Sequence, residues 1–205
     1  MSVQSIMKKF GLLAAAVLAC VVVTGCSQKG EAVEKVEAPS EKELAIEKVE
    51  AVLKQMTNAP DNEYQKLLRE AMDGGVHEFG SAEHLEAEAA LENYIKDLYQ
   101  SYFTEDGLSE FRATAMDSQF QMYDDVDYKL ELLESGVKQS DVDTASNQFH
   151  ITAVVELTVP NKEPTKHKFV GLAIINKKEG KIGRFSIGQK DPTLNHVFNE
   201  LINSQ

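Results

Sequence analysis

Histidine and carboxylate side chains, which act as general bases and metal ligands, first occur together near residue 80. His77, Glu78, Glu83 and His84 form this group. Their spacing is not the H-E-x-x-H of a helical zinc site, and Gly80 interrupts the segment. We therefore interpret it as a surface loop with two solvated histidines rather than as a zinc site.

A second group of candidate ligands consists of four aspartates that precede the first predicted strand. Asp117, Asp124, Asp125 and Asp127 concentrate negative charge there, and calcium prefers such oxygen ligands. The segment lacks the glycine and the glutamate of an EF-hand loop. The sequence therefore favours a solvated turn, and we predict neither a metal nor a cofactor.

Two histidines on neighbouring predicted strands are the third candidate, because an imidazole pair can act as a general base or a pH switch. His150 alternates with Phe149 and Ile151 and is predicted on the opposite face, whereas His167 has the same parity as Phe169. Strand histidines more often face water, and the sequence favours that arrangement.

Tyrosines are the remaining side chains able to take part in binding or catalysis. They either line a pocket with their polar hydroxyl groups or belong to a core whose edge contacts water. The chain has no G-x-S-x-G, no glycine-rich phosphate loop and no paired-cysteine site. These absences favour a non-catalytic function over a catalytic one. The tyrosines concerned are Tyr94, Tyr99, Tyr102, Tyr123 and Tyr128.

The beginning of the chain has the order of a secretory signal. Lys8 and Lys9 precede an apolar stretch from Phe10 to Val23, which is shorter than the ~20 residues that a membrane-spanning helix needs. Val23-Thr24-Gly25-Cys26 then resembles the lipobox of bacterial lipoproteins. The resemblance implies cleavage before Cys26 and a diacylglycerol on its sulfur. An ordinary secretory signal and an uncleaved anchor are the alternatives.

The rest of the composition agrees with an extracytoplasmic protein. Cys20 would be lost with the signal, so the mature domain would contain no free thiol and no disulfide. Lysine greatly outnumbers arginine, a bias that favours an AT-rich Gram-positive host. We expect a lipid-anchored protein on the outer face of the cell membrane.

The net charge of -12 restricts the partners that the protein can bind. Like-charge repulsion disfavours nucleic acid and anionic lipid headgroups. We expect the membrane to be contacted through the lipid on Cys26, and an envelope protein or a small ligand to be the further partner.

Hydrophobic periodicity and helix-capping signals predict one α+β domain, which follows the signal segment and a flexible tether. Ser40 and Glu43 form a capping box, Ser81 can cap the longest helix, and Gly107 is predicted to end that helix. The predicted parts of the chain are a signal peptide over 1–25, a lipidated cysteine and flexible tether over 26–40, and a domain over 41–205. The domain is predicted to comprise a helical pair over 41–73, helices over 81–115, a sheet of about four antiparallel strands over 126–189 and a terminal helix over 192–203.

This order of helices followed by a bent antiparallel sheet resembles the NTF2-like fold, also called cystatin-like. The resemblance covers about residues 81–190. It rests on the tyrosine-rich helix from Asn93 to Phe103, the break at Thr104 to Leu108, and three strands between Phe149 and Ile187. It implies that helices pack into the concave side of the sheet. The pair over 41–73 is additional to this pattern, and it either packs on the fold or extends towards the membrane.

The fold that this resemblance implies hosts enzymes, ligand carriers and assembly modules, so it does not determine a function. No catalytic motif of the family is identifiable in this chain. We expect a non-catalytic binding or interaction module. The alternative is a small NTF2-like hydrolase or isomerase in which His150 or His167 is the base, and a small solute-binding protein is a third possibility.

Overall fold

The computed structural model describes residues 38–72, 78–116, 127–142 and 147–189. Cys26, the signal segment and the predicted terminal helix over 192–203 lie outside them. Within these ranges no helix is long and apolar enough to cross a membrane. The elements are helices α1 (Glu41–Thr57), α2 (Asn62–Met72), α3 (Ala82–Tyr99) and α4 (Glu105–Phe111), a π-helical turn (Arg112–Met116), and strands β1 (Lys129–Gln139), β2 (Gln148–Thr158), β3 (Thr165–Asn176) and β4 (Lys181–Gln189).

The strands form a four-stranded antiparallel sheet in the order β1-β2-β3-β4. The predicted α+β class and the antiparallel meander are therefore confirmed. Strand β2 alternates as predicted, with Phe149, Ile151, Ala153, Val155 and Leu157 buried. Strand β3 is a central strand, since it pairs with β2 on one side and β4 on the other.

Helix α1 begins at the predicted capping box. The Glu43 amide donates to Ser40 Oγ at 3.2 Å, and the Ser40 amide donates to Glu43 Oε2 at 2.7 Å. The hydrogen bonds that the Ser40 amide and the Ser40 hydroxyl donate to the Glu43 carboxylate hold the pKa of this carboxyl below its usual range. The helix packs on the sheet through Val49, Val52 and Leu53, which are buried in the core, so the helical pair does not extend away from the fold.

The prediction that Gly107 ends the longest helix is wrong. Helix α3 already ends at Tyr99, and Gly107 lies inside α4, where its amide donates to the N-cap Thr104 Oγ1 at 3.0 Å. A Cβ on Gly107 would lie 2.6 Å from the Ile182 carbonyl oxygen. This position therefore needs glycine because α4 approaches the backbone of β4 closely, not because a helix stops there.

Two irregularities bend the sheet and decide which side chains reach the core. One lies at Leu133 in β1, and the other places Gly183 of β4 between residues that pair with β3. Because of the second bulge, Ile182 and Phe185 both face the core although they are three residues apart. A strict alternation along β4 would have placed one of them in water.

Short backbone bridges cover both outer strands of the sheet. Leu130 of β1 exchanges two hydrogen bonds with Ala59, which follows α1. Ile182 of β4 donates to the Tyr102 carbonyl at 2.8 Å, and its own carbonyl accepts from the Thr104 amide at 2.9 Å. Each bridge satisfies backbone groups that an open edge strand would leave exposed to pairing with another chain.

Candidate functional site

The structure separates the two strand histidines that could have formed a catalytic pair. His150 is exposed on the outer face of the sheet, opposite Lys138 and Leu172, whereas His167 is buried on the inner face opposite Val155. They lie on opposite faces and five positions apart along the sheet, about 17 Å at 3.3 Å per residue. A dyad of the two is therefore excluded.

His167 corrects the prediction that both strand histidines face water. Its Nε2 lies 2.8 Å from Thr165 Oγ1, and the ring is enclosed by the inner face of the sheet. A buried imidazole held by a hydroxyl has a fixed orientation, which is a property that a general base requires. Parity with Phe169 indicated the face correctly, and only the expectation of solvent exposure was wrong.

His84 is also buried, so the prediction of two solvated histidines is wrong for this residue. It lies in the first turn of α3, where its amide donates to Ser81 Oγ at 3.1 Å, as the predicted cap requires. Its side chain continues the inner stripe of Ala87 and Ile95. Leu91 and Ile95 form an apolar stripe at helical spacing, and extending this stripe towards the N-terminus of α3 would have identified the burial of His84 from the sequence.

The imidazole of His84 is incompletely satisfied. His84 is only 4 % exposed, and its Nδ1 has no hydrogen-bond partner in the described part of the chain. The Glu88 carboxylate lies 3.9 Å from Nδ1, which is too far for a hydrogen bond. The ring of Phe79 packs against the imidazole with a centroid distance of 4.8 Å. The exposed Phe79 ring thus contacts a buried imidazole whose Nδ1 is unpaired within the described residues.

A carboxylate and a tyrosine join α2 to α3. Tyr94 Oη donates to Asp61, with its two carboxylate oxygens at 2.8 and 3.0 Å. Asp61 also accepts from the Tyr64 amide at 3.1 Å, which caps α2. Burial and the hydrogen bond with Asp61 raise the pKa of Tyr94, and burial raises the pKa of Tyr99 nearby. The Tyr94 phenol is therefore a neutral donor, and its hydrogen bond with Asp61 links α3 to the start of α2.

We expect Tyr94→Phe to lower the free energy of unfolding by about 1–2 kcal/mol at pH 7, because Asp61 loses a donor. The folded pKa of Tyr94 lies above its unfolded value of about 10. Its contribution is thus complete below pH 10 and is lost as the pH rises towards the folded pKa. Urea unfolding at pH 7 and pH 11 should show the difference from wild type narrowing at the higher pH.

Tyr102→Phe is the matched control for this prediction. Tyr102 is half-buried like Tyr94, but its hydroxyl makes no hydrogen bond within the described residues. Its substitution should change stability by less than about 0.5 kcal/mol. An equal loss in the two variants, or a gap between wild type and Tyr94→Phe that widens above pH 10, would contradict the assignment.

The other candidate residues do not combine into a site where the structure describes them. Tyr99 and Tyr128 are buried in the core, and Tyr102 packs against it, so the tyrosines form a core with a wet edge. Across the described ranges no group of three or more histidines, cysteines, aspartates or glutamates is placed to hold a metal ion. Residues outside these ranges are His77, Asp117, Tyr123, Asp124 and Asp125.

The surface that the sequence did not reveal is the outer side of α3. Phe79 is 85 % exposed and Leu85 is 56 % exposed. Ala82, Leu85 and Ala89 are exposed and recur at steps of three and four residues, which places them along one side of α3, and Phe79 lies in the turn before this helix. We call these four residues, with the flanking Glu86 and Glu88, the acidic apolar face. The first two turns of α3 thus carry apolar side chains both towards the core and towards solvent.

The described architecture defines an α+β protein in which helices pack on one face of an antiparallel meander. No protein-family model and no curated protein matches the chain. Among solved structures it is similar to the NMR solution structure of TraH, described as a candidate transfer protein from the Gram-positive conjugative plasmid pIP501. The identity is 15 % and the TM-score 0.31, over 64 % of this chain and 96 % of that chain. A similarity this low carries no argument about function, and the NTF2-like resemblance stays a prediction.

Proposed function

We propose that the protein is a lipid-anchored, extracytoplasmic interaction module that acts by binding rather than by catalysis. The observation that carries the proposal is the acidic apolar face. Phe79 and Leu85 are large apolar side chains exposed close together in the chain, and a contiguous exposed apolar patch is a feature of interaction surfaces.

The location outside the cytoplasm rests on the N-terminal sequence. The basic residues, the short apolar stretch and Cys26 follow the order of a lipoprotein signal. A lipid on Cys26 would keep the domain close to other envelope components. Restriction to a surface raises the effective concentration of partners, so a weak binding face suffices there.

The test of the anchor is incorporation of a clickable palmitate analogue by the full-length protein in growing cells. Wild type should be labelled, Cys26→Ser should lose the label entirely, and the matched Cys20→Ser should keep it because Cys20 lies within the signal. Intact mass spectrometry of the membrane extract should show a chain beginning at Cys26. A mature chain that retains residues 1–25, or equal labelling of Cys26→Ser, would contradict the anchor.

The alternative is a small NTF2-like enzyme at the cell envelope with His167 as its base. The burial of His167 on the inner face, with Nε2 bonded to Thr165, is the observation that favours it. An activity on a panel of model esters that disappears in His167→Asn but survives in His150→Asn would establish this alternative. Equal activity in the two variants would exclude His167 as the base.

A further inference from the structure

We infer that the acidic apolar face binds a basic amphipathic helix of an envelope protein. This inference rests on the proposed interaction function and names the partner class of that function. The helix it describes carries apolar side chains along one stripe and lysine or arginine beside that stripe.

The shape of the face suits a helix. Ala82, Leu85 and Ala89 span seven positions of α3, about 10 Å at 1.5 Å per residue, and Phe79 lies in the turn that precedes the helix. Steps of three and four residues give the ridge that packs against another helix, as in a coiled-coil seam. The alanines allow the partner backbone to approach closely, and Leu85 stands between them as the projecting side chain.

The charge around the face determines the sign of the partner. From Glu70 to Ile95, with both ends included, the sequence contains seven acidic residues and no lysine or arginine. Glu86 and Glu88 lie on the two sides of Leu85 on the helix surface and are exposed. Lysine or arginine beside the partner's apolar stripe would pair with these carboxylates, and complementary charges also speed association.

The same charge argues against other occupants. A second copy of this chain would place two acidic faces in contact, and like charges across an interface oppose binding. An anionic membrane surface would be repelled in the same way. The tether over 26–40 has three acidic and two basic residues and therefore offers no basic complement.

The inference is tested by photo-crosslinking with the full-length protein in its native cells. p-Benzoylphenylalanine replaces Leu85 in one strain and Val170, an exposed apolar residue on the outer face of the sheet, in the other. We expect light-dependent adducts from position 85. The crosslinked partner peptide, identified by mass spectrometry, should carry lysine or arginine at helical spacing beside apolar residues.

Charge reversal provides the quantitative arm. In the strain labelled at position 85, Glu86→Lys with Glu88→Lys should reduce the adduct yield about tenfold. The matched pair Glu47→Lys with Glu163→Lys makes the same change in net charge at exposed positions elsewhere, and should leave the yield unchanged. Thermal unfolding of each variant, followed by circular dichroism, verifies that the fold is retained.

The outcomes separate this inference from the proposed function. An acidic or uncharged partner peptide, an adduct with a second copy, a lipid adduct alone, or a yield insensitive to Glu86→Lys with Glu88→Lys would overturn the basic-helix partner. Adducts from position 170 but not from position 85 would show that the acidic apolar face is not the binding surface, while the proposed interaction function would stand. Absence of adducts at both positions would overturn both.

Discussion

Replacing Phe111 with alanine is expected to lower the free energy of unfolding by about 3–5 kcal/mol. The Phe111 ring is completely buried and joins three elements. It stacks on Phe103 with a centroid distance of 4.7 Å and meets Tyr99 and Phe185 edge-on at 5.1 and 5.5 Å. Its loss removes apolar burial, leaves a cavity and breaks these ring contacts together. Urea unfolding monitored by circular dichroism measures the change.

Phe79→Ala is the matched control, because it is the same substitution at a ring that is 85 % exposed. It should change stability by no more than about 0.5 kcal/mol. If the two variants lose free energy of unfolding to within about 1 kcal/mol of each other, the burial and ring contacts of Phe111 do not make the expected contribution to stability.

Gly107→Ala is expected to lower the free energy of unfolding by about 1–3 kcal/mol. Alanine is a better helix former than glycine by about 1 kcal/mol, so helix propensity alone predicts a stabilised α4. The added Cβ would lie 2.6 Å from the Ile182 carbonyl oxygen and 2.9 Å from that of Gly183. Backbone atoms cannot rotate aside as a flexible side chain does, so α4 must move away from β4.

Ser109→Ala separates propensity from packing on the same helix. Ser109 is exposed in α4, and its replacement should stabilise the protein by a few tenths of a kcal/mol or leave it unchanged. Urea unfolding of both variants is the measurement. A Gly107→Ala variant as stable as Ser109→Ala would mean that the close approach to β4 does not exist in solution.

The local features of the fold were predictable because their causes are local. A capping box needs only a serine or threonine followed three residues later by a glutamate or glutamine. The sequence around Ser40 therefore identified it correctly as the N-cap of α1. Alternation along β2 needs only the sequence of β2. Gly107 was misinterpreted because the reason for glycine lies in Ile182, a residue of another element far along the chain.

The candidate site was less predictable than the fold for a related physical reason. Helical spacing places Leu85 off the buried stripe of Ala87 and Ile95, but the sequence does not show whether another element of the fold covers it. The burial of His84 could have been predicted, because His84 continues the helical spacing of Ala87 and Ile95, but its contact with Phe79 lies outside that spacing. For His167, its two-residue separation from Phe169 on β3 gave the correct face of the sheet. The burial of that face depends on the packing of other elements over it.

The contact between the first helix and the last hairpin determines the order in which the structure can form. The Lys48 ammonium donates to the Gly180 carbonyl, and these residues are 132 positions apart in the chain. Each strand of the meander, by contrast, pairs with its neighbour in sequence, which makes the sheet a low-contact-order unit. Helix α1 emerges first during synthesis yet cannot complete its contacts until β4 has emerged. Its apolar side is therefore exposed longest, and a chaperone that holds the nascent chain would have its longest opportunity there.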